Sequence, residues 1–279
     1  MTKQALPKKI YDSKNCLTYS KSYVRDVKMI LHASLEQACN NNFIPQNPAD
    51  KVVLPKTGYG HIKRNIIPLT QQQTKDFLKE IQGSSNEIAF QFALFTGMRE
   101  AEIMGLQWHN IDFEAGTILI EQQLKRDKGT KKYSIDKETK SHKSRTIRPA
   151  PSVMQLLQRH RKKQNEMRLR VGDLWDTEGI DDLVFTTSTG KHIGVNTLYH
   201  SVKRYATKIG VCNFTFHDLR HTFAVNYLLS GGDIYLLSKI LGHSNIQTTC
   251  NLYLHFTEDL QMKAMNNVED LIQDLYKAQ

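Results

Sequence analysis

Apolar residues recur at three- and four-residue steps through most of this chain, and alternate in only one stretch. Between 17 and 39, Val24, Val27, Leu31, Leu35 and Ala38 share a helical face. That helix ends at Asn40-Asn41-Asn42, and Asn47-Pro48-Ala49 makes a turn. Ile67-Pro68-Leu69-Thr70 opens a new unit, with Thr70 as N-cap of a helix over 71–82. A second helix spans 87–96 and stops at Gly97; Arg99 stands at the start of the next short helix. Over 111–124 the pattern turns to partial alternation, Ile118, Ile120 and Gln122 against Thr117, Leu119 and Glu121, after Gly116. Residues 133–135 and 145–148 read as two more strands, and the three segments are expected to form one small antiparallel sheet.

Helical spacing returns over 151–170 and 195–209, with a short strand expected at 183–185 between them. A helix over 217–229 closes at Gly231-Gly232, and Asp233 caps 234–241. Residues 245–254 form a further helix. The last, 260–276, carries Met262, Met265, Val268, Leu271, Ile272 and Leu275 on one stripe. Tyr227 and Tyr235 sit in apolar helical patterns and are expected in the core. The fold class is mainly α with a small antiparallel β-sheet (α+β). Residues 1–13 carry no pattern. Lys51, Lys56, Lys63 and Arg64, set among Pro55, Gly58 and Gly60, read as a basic linker. The expected division is 1–60, a short helical domain with its linker, and 61–279, the main domain.

Composition narrows the class of partner. The chain has 279 residues, of which 39% are hydrophobic, enough for a core. No apolar run approaches the roughly 20 residues that cross a bilayer, and the N-terminus has no apolar stretch after its charges, so no secretory signal is read there. Cys16, Cys39, Cys212 and Cys250 are scattered, as for reduced thiols in a cytoplasmic protein. The net charge of +10 favours a polyanion. It is concentrated over 123–148, where ten basic residues, Lys125, Arg126, Lys128, Lys131, Lys132, Lys137, Lys140, Lys143, Arg145 and Arg148, face only Asp127, Asp136 and Glu138. A basic run is usually a solvated face; this density points to a surface that tracks a phosphate backbone.

The chemistry-bearing residues lie late in the chain. His217-Asp218-Leu219-Arg220-His221 is followed by Leu241-Gly242-His243 and then Tyr253, with Arg99 far upstream in Thr96-Gly97-Met98-Arg99-Glu100. Two guanidiniums can clamp the non-bridging oxygens of a phosphate. Imidazoles can move protons, and a tyrosine hydroxyl can attack phosphorus. His217 and Arg220 share a helical face, with His221 near it. A zinc site at His217, His221 and His243 is the metal alternative. Arg220 would place a fixed positive charge beside that ion, and the glutamate of a zinc-protease helix is absent. The expectation is therefore no metal and no cofactor.

Together Gly97-Met98-Arg99-Glu100-Ala101-Glu102, His217-Asp218-Leu219-Arg220-His221, Leu241-Gly242-His243-Ser244 and Asn251-Leu252-Tyr253 resemble the boxes of the tyrosine recombinases. The nearest group is the integrases of phages and conjugative transposons of Gram-positive bacteria. The likeness covers about residues 17–279. It implies a site-specific recombinase that integrates or excises a mobile element, with Tyr253 as the nucleophile forming a 3′-phosphotyrosyl bond. Arg99 and Arg220 would hold the phosphate, and His217 would act as general base and later acid. His243 would donate a hydrogen bond to the phosphate, a position where some members carry tryptophan. Lys140, with Lys143 as runner-up, would protonate the leaving 5′-oxygen. Glu102 would orient the catalytic arginine, and Lys125, Arg126, Lys131, Lys132, Lys143 and Arg145 would contact DNA.

The implied partners are double-stranded DNA and further copies of the chain, in a tetramer joined through the C-terminal helix, with accessory DNA-bending proteins. The same helix could instead complete its own subunit's core. The first domain is short beside the four or so helices of the family's core-binding clamp, and no arm-binding domain precedes it, as in a truncated or a minimal member. Two rivals are a type IB topoisomerase and a non-catalytic DNA-binding protein; the tail stripe and the Leu-Gly-His box oppose the first, and the intact residue set opposes the second.

Overall fold

The computed structural model describes residues 19–55, 68–127, 129–137, 144–243 and 245–253, together with Met265 and Glu269. The chain divides into two compact units, Met1–Asn65 and Ile66–Gln279.

In the first unit, α1 (Lys21–Asn40) starts at Ser20, whose hydroxyl accepts from the Tyr23 amide. None of its residues is buried. The loop that follows is tied back by polar groups. Asn47 is buried and donates to the Glu36 carboxylate and the His32 carbonyl. His32 Nε2 lies 2.7 Å from Asp50 Oδ1, and Lys28 donates to the Val52 carbonyl.

The second unit begins with α2 (Gln71–Glu80), closed at its start by a reciprocal box: Gln73 N donates to Thr70 Oγ1, and Thr70 N to the Gln73 side chain. Helix α3 (Glu87–Thr96) buries Phe90, Phe92 and Ala93 and packs most extensively on α7 (Phe216–Leu229). Around them Phe77, Phe185, Tyr205, Phe214 and Phe216 meet edge-on or tilted at centroid distances of 5.4–6.2 Å. The outer helices are α5 (Pro151–Val171), with Pro at its first turn, and α6 (Val195–Lys208). The unit continues through α8 (Ile234–Leu241) to α9 (Ile246–Tyr253). Asp233 caps α8 through a 2.7 Å bond from Leu236 N. Among the described residues, no helix is long and apolar enough to cross a membrane. The expected helix over 260–276 lies outside the described residues except at Met265 and Glu269.

The strands correct the sequence reading in two ways. In place of one sheet there are two. Strands β1 (Ile111–Asp112), β2 (Thr117–Ile120) and β5 (Arg145–Ile147) form an antiparallel sheet in the order β1-β2-β5, and β3 (Gln123–Arg126) pairs with β4 (Tyr133–Asp136) in a separate ribbon. The run 111–124 is broken twice. The Asp112 carboxylate accepts from the amides of Glu114 and Ala115 and turns the chain. Further on, Gln122 is buried, its amide donating to the Gly105 carbonyl and the Asn110 side chain, which pulls it out of strand pairing. Second, residues 183–185 make no strand, only a single bridge from Leu183 to Gln107. Their backbone groups are satisfied otherwise: Val184 N donates to Leu106 O, and the Leu183 and Val184 carbonyls accept from the buried Gln164 amide. Gln164 in turn accepts from Trp108 Nε1 at 2.7 Å. Tyr235 also departs from expectation, being 59% exposed with Lys239 Nζ 5.0 Å from its ring centroid.

Helix α3 ends at Gly97, whose φ of +64° is left-handed. A methyl group there would strike the Phe223 ring and stand 2.9 Å from Leu241 Cδ2. Gly97→Ala should therefore cost about 2 kcal/mol or more, read as a lower urea midpoint with an unchanged slope; an unchanged midpoint would mean the α3–α8 approach is loose.

Candidate active site

The C-terminal turn of α8 organises the site. The last carbonyls of a helix have no partner within it and carry the negative end of its dipole. Here three consecutive ones receive three arginines. Arg145 Nε donates to Ile240 O, Arg220 Nη2 to Leu241 O and Arg99 Nη2 to Gly242 O, at 2.7–2.8 Å. Arg145 comes from β5, Arg220 from α7 and Arg99 from the turn between α3 and α4 (Glu100–Met104). Gly242 permits this arrangement by adopting φ +66° and leaving space: a Cβ would stand 2.8 Å from Arg145 Nη1.

Glu102, in α4 (Glu100–Met104), is the carboxylate among these cations. It is 2% exposed. Its Oε1 accepts from Arg99 Nη1 and Arg145 Nη1, and its Oε2 from the Arg99 amide and Arg145 Nη2. Burial alone would raise its pKa, but the Arg145 hydrogen bonds and charge, with those of Arg99, hold it down at about 2. Arg220 is buried and also donates to Gly97 O. Burial and then the Arg99 charge lower it to about 9, which leaves it charged at neutral pH. Of the two, Arg99 is the more open, with a third of its side chain exposed.

His243 follows directly. Burial, then the charges of Arg220 and Arg99, press its pKa down to about 4, so the ring is neutral near pH 7. Thr249, on α9, lies 2.8 Å from Nδ1. A neutral ring carries one N–H, and a Thr249 hydroxyl that donates to Nδ1 leaves that proton on Nε2. His217 is exposed at the start of α7, its ring 4.6 Å from that of His221 and nearly perpendicular to it. Both lie within electrostatic reach of His243. Asp218, between them in sequence, is buried and serves the helix instead: it accepts from the Thr215 amide and hydroxyl and closes the N-terminus of α7.

Beside this cluster, Glu100, Asn196, Tyr199, Thr215 and His217 line a cavity of about 450 Å³. The Glu100 Oε1 atom is buried without a hydrogen-bond partner, and burial raises the group to about 7.

Five of the expected site residues, Arg99, Glu102, His217, Arg220 and His243, thus fall in one neighbourhood of the second unit. Tyr253 is the last residue of α9, and its side chain lies outside the described residues, as do Lys140 and Lys143. Lys125, Arg126, Lys131 and Lys132 are exposed on the β3–β4 ribbon, where Lys125 pairs with Asp136 at 2.8 Å. Arg145, expected on the DNA-facing surface, instead has a side chain only 12% exposed and turned into the cluster. The sequence held a signal for this: Arg145 lies two residues from Ile147, a core residue, and so on the same face of the strand. Thr249 carried no such signal. Among the described residues, the group with metal-ligand spacing is His32, Glu36 and Asp50 in the first unit, where His32 and Asp50 already bond each other.

A mainly helical domain with two small sheets and a pair of arginines anchored at one helix end defines a class that comparison makes specific. The phage integrase family matches residues 68–259, and the chain belongs to it. A XerC-like tyrosine recombinase of Caldanaerobacter subterraneus subsp. tengcongensis is 29% identical over 90% of this chain and 67% of its own length. The transposase of transposon Tn916 from Enterococcus faecalis is 26% identical over 90% of this chain and 62% of its own length. The integrase of transposon Tn1549, solved with transposon right-end DNA, superposes with a TM-score of 0.69 at 27% identity, over 90% of this chain and 80% of that one. The chain thus spans about two thirds of the curated relatives' length.

The neutral state of His243 has a measurable consequence. A histidine with a depressed folded pKa makes the unfolded chain bind more protons between about pH 4 and the ordinary value of 6.5. Stability should fall as pH drops through that window, and His243→Asn should flatten the slope. NMR titration of the ring should give a midpoint near 4; a midpoint near 6.5 would place it outside the arginine field.

Proposed function

We propose that the protein is a site-specific DNA recombinase that cuts and rejoins strands through Tyr253, integrating or excising a mobile element. The observation that carries this reading is the pair of arginines, Arg99 and Arg220, anchored to adjacent carbonyls beside a neutral His243. Each guanidinium has five N–H groups, and the bonds described above leave donors on both for a phosphate. The family match and the DNA complex of the Tn1549 integrase supply the substrate class.

In this reaction the Tyr253 phenol attacks one phosphodiester, a 3′-phosphotyrosyl bond forms, and the bond to the 5′-oxygen breaks. A phenol has a pKa of about 10 and needs its proton removed; His217 takes it. Lys140 gives a proton to the leaving oxygen. Arg99 and Arg220 stabilise the charge that develops on the non-bridging oxygens, and His243 adds a hydrogen bond from Nε2. The ester is exchanged rather than hydrolysed, so the reverse attack by a 5′-hydroxyl rejoins the strand without ATP and without a metal or other cofactor.

The exposed lysines of the β3–β4 ribbon, with Lys143 beyond it, track the phosphate backbone. The domain assignment extends the same reading: 1–60 is a partial core-binding clamp and linker, and 61–279 the catalytic domain. The C-terminal helix docks on a neighbouring copy, so that a tetramer acts on two duplexes with accessory DNA-bending proteins in the cytoplasm.

A nicked suicide duplex bearing the end of the encoding element tests the reading. The wild-type protein should form a covalent adduct that mass spectrometry locates at Tyr253, and Tyr253→Phe should form none while still binding DNA. Arg220→Ala should slow adduct formation by about 100- to 1,000-fold with a much smaller loss of affinity. An adduct on another residue would move the nucleophile, and dependence on divalent metal would replace the mechanism.

A further inference from the structure

We propose that Arg145 is a positioning residue of the phosphate clamp, holding Arg99 through Glu102 and fixing the α8 turn on which all three arginines rest. This rests on the recombinase reading and adds to it a residue that never touches DNA.

The geometry separates Arg145 from the other basic residues of 123–148. Its guanidinium is bidentate to Glu102, with Nη1 to Oε1 at 2.9 Å and Nη2 to Oε2 at 2.7 Å. The opposite edge, Nε, donates to Ile240 O at 2.8 Å. Planar fork geometry lets one side chain brace a carboxylate and a helix end together, which a lysine ammonium cannot do. Each Glu102 oxygen accepts once from Arg145 and once from Arg99. Glu102 therefore relays position from a strand of the β1-β2-β5 sheet to Arg99, the more exposed of the two clamp arginines.

Electrostatics point the same way. The groups facing Glu102 are Arg99 at its own helix start, Arg145 from β5 and Arg220 from α7. Burial works against its ionised form, and Arg145 is the strongest opposing influence. Without Arg145, Glu102 would take up a proton at higher pH and release Arg99 as it did so. Space tells the same story at Gly242, where a Cβ would stand 2.8–3.0 Å from Nη1 and Cζ of the Arg145 guanidinium.

The experiment compares Arg145→Lys and Arg145→Met with wild type in the full chain, using the same suicide duplex. Adduct rate, DNA dissociation constant, thermal unfolding and the pH dependence of cleavage are measured for each. Displacing a clamp by about 1 Å costs about 100-fold in rate. Cleavage should accordingly fall about 10- to 100-fold in both variants, less in Arg145→Lys, with affinity within about threefold. The acid limb of the pH profile should move to higher pH, most in Arg145→Met, as Glu102 becomes easier to protonate. A purely structural role would lower the folded fraction but leave that limb in place. The proposal is overturned by wild-type cleavage in both variants, by an unmoved acid limb, by matched losses of affinity and rate, or by failure of even Arg145→Lys to fold. Absence of any adduct in the wild type is a separate result: it removes the recombinase reading on which the proposal rests.

Discussion

Three carbonyl groups at the end of one eight-residue helix hold this site together. Ile240, Leu241 and Gly242 each take one N–H from Arg145, Arg220 and Arg99. Those arginines come from β5, α7 and the α3–α4 junction, so the turn after α8 is where distant stretches of chain meet. Like charges brought this close repel, and the Glu102 carboxylate offsets only one of three. The rest of the compensation is the negative end of the helix dipole and its orphan carbonyls. The cluster remains short of negative charge, the condition that the proposed phosphate clamp requires.

The scaffold around that turn exists to fix it. Leu237 and Leu241 pack with Ala224 and Leu228 of α7 in a small apolar cluster separate from the main core. Gly97 lets α3 come within contact of Phe223 and Leu241, and its carbonyl holds the second edge of Arg220. Helix α7 is in turn closed by Thr215 and Asp218, and Thr222 on it accepts from the Leu69 amide. Capping, a glycine turn and aromatic packing thus converge on the coordinates of two guanidiniums. Small errors in any of them would displace the guanidiniums, because the reach of each arginine is already set by its backbone acceptor.

Most helices were legible in the sequence because each is a local event. Residues 87–96 end where Gly97 says they must, and Thr70 and Asp233 cap as their side chains dictate. The site was legible as residue types in order. What was not legible depends on partners distant along the chain. Residues 183–185 look like a strand until Gln164 and Leu106 are seen to satisfy their backbone. The 111–124 run looks like one strand until Gln122 is seen to be pulled inward by Gly105 and Asn110. Tyr235 fits an apolar periodicity yet lies outside, since spacing fixes a face and not what covers it. Arg145 was read by charge as a surface group; its strand parity with Ile147 pointed inward, but composition cannot show that a carboxylate waits there.

The site is also where the protein departs from what stability alone would select. A buried ion network is often no more stable than an apolar one of the same volume. This network is worse than balanced, with Arg220 buried beside two other guanidiniums and Glu100 keeping a buried carboxyl oxygen without a partner. Such violations of local rules persist where function requires them. The burial that makes the cluster costly keeps His243 neutral, while the hydrogen bonds and charges of Arg145 and Arg99 keep Glu102 ionised against that same burial. A hydrogen-bond donor and an ionised anchor are therefore maintained across the neutral range without any proton being gained or lost. His217, in contrast, lies exposed at the start of α7. The fixed charges thus sit deep and an imidazole sits at the surface, an order set by burial.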